Sequence, residues 1–318
     1  MNVKEMFAKR FSGQSAKGDE FGFTNTYAEG SKRIINKDGT FNVRRIGEKR
    51  QIFHEMLTMS WAKFFLYIIS FYAIVNLLFA GLYMLIDIDG IGMTSDYEVH
   101  RHFLISLFFS AQTLTTVGYG SLYPLSSVVS AVAASEALVG LMGFAIFTGL
   151  MYGRFSRPKP GIRFSHNALI SPYREGHGLM FRVANELNNN LTELEVRGLM
   201  VIVIQENGKE TRKYHNLKFD NNRITYFPMN WTIVHPIDAE SPLSGMGYND
   251  LKDGSVELVV MIKGFNETNG QEIHAKYSYT FDEIIWDAKF RLPYFIREDG
   301  ITIFELDKID AYDKLVTE

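Results

Sequence analysis

The hexapeptide T-T-V-G-Y-G at residues 115–120 constrains this chain more than any other stretch, because it carries successive peptide oxygens in a pattern that few environments can use. Thr115 opens it. The carbonyls of Thr116, Val117, Gly118 and Tyr119, with the Thr116 hydroxyl, can form stacked rings of ligands around a cation stripped of water. Successive carbonyls face one axis only if the backbone alternates between ordinary and left-handed dihedrals, which Gly118 and Gly120 permit without a Cβ clash. One chain supplies one such strand, so closing the rings takes several copies, four in the arrangement this stretch fits. Alone, these letters also describe a glycine turn after a strand. The flanks favour the cage: an apolar segment stands on each side, and a short amphipathic helical segment leads in.

Averages conceal this division. With 318 residues, net charge −3 and mean hydropathy −0.06, the chain would pass for a soluble protein of about two domains. Its apolar residues are concentrated between Trp61 and Tyr152, and the remainder is polar enough for water. The absence of cysteine excludes disulfides, thiolate metal sites and cysteine nucleophiles, and suits a reducing compartment. The first forty or so residues are polar and Gly-rich with no apolar core segment, so membrane insertion is expected to rely on the later apolar runs. The near-neutral charge gives no support for nucleic-acid binding.

Residues 1–45 read as an extended cytoplasmic arm, and residues 46–60 as an interfacial helix with Ile52, Phe53, Met56 and Leu57 on one face. An outer helix is expected over 61–86, where roughly 26 residues span ~30 Å with tilt. Lys63 lies near its start, and Asn76 inside it reads as a partner for a neighbouring helix. Residues 87–100 read as a polar, acidic loop and residues 101–114 as a half-membrane pore helix, whose carbonyl end favours a cation at mid-bilayer. The filter at 115–120 and an inner helix over 125–153, rich in Ala, Gly and Ser, complete a pore domain at 61–153. Gly140 and Gly143 are candidate hinges or close-packing positions in that helix. Basic residues at 44, 45, 49, 50 and 63 precede the outer helix and those at 154, 157, 159 and 163 follow the inner one, while 87–100 has neither Lys nor Arg. Both termini are therefore expected in the cytoplasm of a multi-pass plasma (inner) membrane protein.

After a linker at 154–162 the signal changes to period two. Ile273, Ala275, Tyr277, Tyr279 and Phe281 alternate with Glu272, His274, Lys276, Ser278 and Thr280, the mark of a half-buried strand. Further strands are expected at 179–184, 194–204, 256–265 and 301–306, making residues 163–318 a cytoplasmic β-sandwich with a C-terminal tail.

The filter, together with FSHNALI at 164–170, WTIVHPID at 231–238, SPL at 241–243 and DEIIW at 282–286, resembles the inwardly rectifying potassium channels, particularly their prokaryotic KirBac branch. The resemblance covers most of the chain. It implies a two-helix membrane α pore domain followed by a cytoplasmic all-β, immunoglobulin-like domain that extends the ion path. It also implies a gate at the bundle crossing, with Tyr152, Thr148 and Phe144 on one helical face, and a second constriction in the G-loop, residues 264–270, with Gly264, Phe265, Thr268 and Gly270. Arg154, Arg157 and Lys159, joined by Lys63, match positions that bind anionic phospholipid headgroups. Where strongly rectifying relatives place an acid on the inner helix this chain has Phe144, so weak rectification is expected, with Mg²⁺, polyamine or Ba²⁺ as possible blockers. Gln112 replaces the Glu behind the filter and Ser121 replaces its Arg partner, so filter support is expected from neutral hydrogen bonds. Glu136, an intramembrane carboxyl, reads as a structural, hydrogen-bonded filter support or as a cation attractor.

The resulting expectation is a homotetrameric K⁺ channel with no cofactor beyond permeant K⁺. The alternative is a membrane-anchored β-sandwich receptor, for which a pore helix and filter have no use. An enzyme fits least. His54-Glu55 begins a zinc-helix pattern but Thr58 stands at the second His position, and no phosphate loop or nucleophile elbow occurs. His166 and His177 are candidate pH sensors.

Overall fold

The computed structural model describes residues 22–23, 33–47, 51–94, 102–157, 160–187, 189–206 and 209–315. Most of the N-terminal arm and Lys159 lie outside the described residues. The chain divides into two compact units, Ile46–Arg157 and a second comprising the remaining residues on both sides.

The first unit contains a short helix Ile52–Thr58, the outer helix Trp61–Ile86, the pore helix His102–Leu114 and the inner helix Ser127–Phe155. The outer and inner helices are long and apolar enough to cross a membrane. Leu66, Ile69, Leu78 and Leu85 remain exposed around the outer helix, as suits a helix solvated by lipid. Its buried face, Val75, Asn76, Ala80 and Tyr83, recurs at helical spacing. The inner helix begins and ends two residues later than expected. Pro124 is taken up by a strand, and Ser126 then caps the helix by accepting the Val129 N–H at 3.3 Å.

Residues 87–94 are more than a polar loop. Strand β1 (Ile91–Met93) pairs antiparallel with β2 (Leu122–Pro124), joining the segment before the pore helix to the one after the hexapeptide. Leu125 N–H reinforces the junction by donating to Gly90 O at 2.7 Å. Tyr83, Ile91, Ile105, Phe109, Leu122 and Val129 close a small core around it, with the Tyr83 and Phe109 ring centroids 5.0 Å apart.

The second unit is a β-sandwich. Strands β3 (Ile162–Phe164), β4 (Ala168–Tyr173), β5 (Gly176–Asn185), β9 (Asn230–Ile237) and β12 (Ile284–Trp286) form one sheet, in which β4 and β12 run parallel and the other pairs antiparallel. The other is antiparallel and contains β6 (Leu191–Glu206), β7 (Lys209–Leu217), β8 (Arg223–Tyr226), β10 (Glu257–Asn266) and β11 (Gln271–Thr280). Leu179, Phe181 and Ile233 of the first sheet and Met200, Ile202, Leu258 and Ile262 of the second belong to one buried cluster, the product of the period-two pattern. His235 is pinned inside it, with Nδ1 2.7 Å from Lys218 O and Nε2 2.8 Å from Ser241 Oγ, and burial holds its imidazole below the usual range.

Two details of β11 depart from the alternation. Phe281 starts a short 3-10 turn, Phe281–Glu283, rather than ending the strand. Ser278 is fully buried, and Arg33 and Ile35 of the N-terminal arm are bonded to it. Ser278 Oγ donates to Ile35 O at 2.7 Å, Arg33 Nη2 donates to Ser278 O at 2.7 Å, and Glu257 accepts the Ile34 N–H at 2.8 Å. Burial pushes the Glu257 carboxyl above its ordinary range despite the Ile34 and Ile35 amides that donate to it. His166, one of the candidate pH sensors, is paired with Asp310 at 2.7 Å.

Candidate functional site

The hexapeptide begins as a continuation of the pore helix and then leaves it. The Thr115 N–H donates to Ala111 O at 3.2 Å, Thr116 N–H to Thr113 O at 3.0 Å, and Val117 and Gly118 N–H both to Gln112 O at 3.0 and 3.2 Å. These bonds satisfy carbonyls that a helix C-terminus otherwise leaves open. From there the backbone alternates: φ is +60° at Thr116, +55° at Gly118 and +79° at Gly120. The two glycines take these values without strain. Thr116 does not, since a β-branched residue in the left-handed region is a backbone outlier costing about 1–3 kcal/mol. Counting back by two from Gly118 and Gly120 would have found it. Among the described residues, no donor reaches the carbonyls of Thr116, Val117, Gly118 or Tyr119. Val117 and Tyr119 are 53% and 81% exposed in the single chain, and a Cβ at Gly118 or Gly120 would meet nothing within 4 Å.

The two residues expected to support this stretch, Gln112 and Glu136, are both hydrogen-bonded within the subunit. Gln112 Nε2 donates to Leu122 O at 2.8 Å, fixing the pore helix to β2. Glu136 is fully buried and accepts from Tyr83 Oη at 2.6 Å and from Ser110 Oγ. Ser110 Oγ also stands 3.1 Å from Asn76 Oδ1. Tyr83 and Ser110 were not legible as partners of Glu136, because Tyr and Ser within apolar helices carry no signal until their neighbours on other helices are known.

The inner helix runs unbroken through both candidate hinge glycines. A Cβ on Gly140 would lie 1.9 Å from Leu114 O, so the pore-helix terminus rests directly on the inner-helix backbone. A Cβ on Gly143 would meet the Phe71 ring at 3.2 Å. Each glycine is thus a point of close approach. Phe144, Thr148 and Tyr152 share one exposed face of the helix, Phe144 and Tyr152 at 72% and 74% exposure. Of the G-loop residues, Gly264 and Phe265 lie inside β10, Thr268 in the hairpin turn, and Gly270 at φ +65° closes it. Opposite Gly264 the register of β6 shifts, with Glu193 at φ +53° taking up the bulge.

The basic residues separate into two groups. Lys63 and Arg157 are exposed. Arg154 is held by protein: its Nη1 and Nη2 donate to Met56 O at 2.6 Å and Met59 O at 2.7 Å, and its guanidinium lies 4.4 Å from the Trp61 ring centre and 4.6 Å from that of Phe64. It therefore satisfies carbonyls at the C-terminus of Ile52–Thr58, where a cation is favoured. Arg154→Gln is expected to release that helix, costing roughly 3 kcal/mol for the charge-assisted bonds. Faster amide exchange over 52–58 and altered Trp61 fluorescence would register the loss; unchanged exchange would contradict it.

Residues 162–315 match the family model described as the inward rectifier potassium channel C-terminal domain, and residues 56–157 match the ion channel model. The inward rectifier potassium channel Kirbac3.1 of Paramagnetospirillum magnetotacticum is 34% identical over 282 residues, 87% of this chain and 94% of its own length. This chain belongs to the inward rectifier potassium channel family. Among other members, G protein-activated inward rectifier potassium channel 3 of Mus musculus is 26% identical, with 87% of this chain and 76% of that protein covered. Inward rectifier potassium channel 18 of Homo sapiens is 28% identical, with 86% and 69% covered. As a KirBac-type inward rectifier the chain is a membrane protein and an ion-channel relative, not an enzyme, with a two-span pore domain followed by a β-sandwich.

Proposed function

We propose that four copies of this chain assemble into a potassium-selective channel, with residues 115–120 as the filter. The observation that carries this reading is the run of carbonyls at Thr116, Val117, Gly118 and Tyr119, which take no donor among the described residues while Thr116, Gly118 and Gly120 alternate into the left-handed region. Oxygens left open in this way suit a cation that sheds water, and the exposure of Val117 and Tyr119 in the single chain supports a strand meant to be enclosed by other copies. Hydrated K⁺ enters, carbonyl oxygens replace its water, and neighbouring ions repel one another onward. The Thr116 hydroxyl supplies the innermost ring.

Below the filter, the exposed face of Phe144, Thr148 and Tyr152 from four inner helices closes the path by dewetting, and the hairpin at residues 264–270 provides a second constriction. An aromatic at 144 offers no electrostatic well for Mg²⁺ or polyamines, so rectification is weak. Anionic phospholipid headgroups meet Lys63, Arg157 and Lys159, with Arg154 engaged in the protein scaffold. Both termini are cytoplasmic in the plasma (inner) membrane, as the basic flanks of the two spans favour. The purified chain in liposomes is expected to take up Rb⁺ and to be blocked by Ba²⁺. Uptake indifferent to Ba²⁺, or none above empty liposomes, would favour the receptor reading.

A further inference from the structure

Four polar side chains from three helices meet in a buried layer between the outer, pore and inner helices. Asn76 is 3% exposed, and Tyr83, Ser110 and Glu136 are fully buried. Tyr83 Oη donates to Glu136 Oε2 at 2.6 Å, and Asn76 Nδ2 donates to Tyr72 O at 2.7 Å. Ser110 Oγ shares its single proton among Glu136 Oε1, Asn76 Oδ1 at 3.1 Å and Asn76 O at 3.3 Å. Ser110 is the member that belongs to the pore helix and touches both long helices. Buried groups of this kind depend on one another, because removing one leaves its partners unsatisfied in a low-dielectric layer.

The position of Ser110 gives that dependence a consequence. Two residues further along the pore helix, Gln112 O accepts the N–H groups of Val117 and Gly118, and Gln112 Nε2 holds Leu122 O. A roll or slide of the pore helix therefore moves the peptide units whose oxygens meet the ion.

The geometry points to Ser110 as a positioning residue for ion selectivity: its hydroxyl locks the pore helix to the outer helix through Asn76 and to the inner helix through Glu136, and Tyr83 orients Glu136 for that contact. The inference rests on the filter role proposed above for residues 115–120. A ligand cage must be held within about 0.5 Å to keep its discrimination, and a shifted one still holds cations while losing its preference among them. Loss of this brace is thus expected to affect selectivity before assembly.

The test is the K⁺ to Na⁺ flux ratio of the full-length chain in liposomes, measured alongside its size in mild detergent. Ser110→Ala is expected to lower the ratio about tenfold, in line with losing one buried hydrogen bond to a carboxyl group, with the assembled size unchanged. Ser110→Thr keeps the hydroxyl and is expected to keep the wild-type ratio. Tyr83→Phe retains the ring packed on Phe79 and Phe109 and is expected to lower the ratio by less. Wild-type ratios in both Ser110→Ala and Tyr83→Phe would overturn the inference, as would equal losses in Ser110→Ala and Ser110→Thr. If Ser110→Ala fails to assemble, an unchanged ratio in Tyr83→Phe alone overturns it. A wild-type chain without K⁺ preference would instead remove the filter reading itself.

Discussion

Gly140→Ala abolishes flux in the expected result, although it adds a single methyl group. That methyl would sit 1.9 Å from the carbonyl oxygen of Leu114 and 2.8 Å from its carbonyl carbon. Overpacking against side chains typically costs about 1–3 kcal/mol because rotamers yield. Here the neighbour is main chain at the end of the pore helix, immediately before Thr115, so relief requires moving the helix or the inner helix bodily. Either movement displaces the hexapeptide. Gly143→Ala provides the control, since its methyl would meet only the Phe71 ring at 3.2 Å, a side chain that needs to yield by a few tenths of an ångström where Gly140 would require main chain to move. Rubidium uptake at background in Gly140→Ala, with Gly143→Ala retaining most of it, would bear this out. Equal activity in the two variants would contradict the contact.

The second large effect is expected at Gly118. Its φ of +55° is a conformation an L-residue adopts at a cost of roughly 1–2 kcal/mol, small enough for the chain to fold and insert. No atom lies within 4 Å of a Cβ built there in one chain, so a side chain clashes with nothing in the subunit itself. Once four copies surround an axis, Gly118→Asp would place four carboxylates beside the ion path. Conduction is therefore expected to disappear while expression and assembled size remain near wild type. Wild-type flux in Gly118→Asp would show that ions do not pass this residue.

The outer and inner helices were legible because a membrane-length apolar run needs no partner to declare itself, and the strands of the second unit because Ile273, Ala275, Tyr277 and Tyr279 alternate in plain view. Ser278 broke the alternation through a contact with Ile35, more than two hundred residues away, which no local period reports. The β1 strand hid in a loop because three residues carry too little pattern to signal a strand, and its partner lies beyond the hexapeptide. Glu136 was conspicuous as a carboxyl in an apolar helix. Its partners Tyr83 and Ser110 were not, since each is ordinary in its own helix and acquires meaning only from the packing of three. Arg154 was legible as a cation at a membrane boundary, but its engagement by Met56 and Met59 carbonyls followed only from the fold.

The most direct measurement is the zero-current potential of the purified full-length chain in a planar bilayer with K⁺ on one side and Na⁺ on the other. A potential close to that for K⁺ alone, carried by particles the size of four subunits, is the predicted result. A potential near zero, with both ions crossing equally, would contradict a filter built from the open carbonyls of residues 116–119.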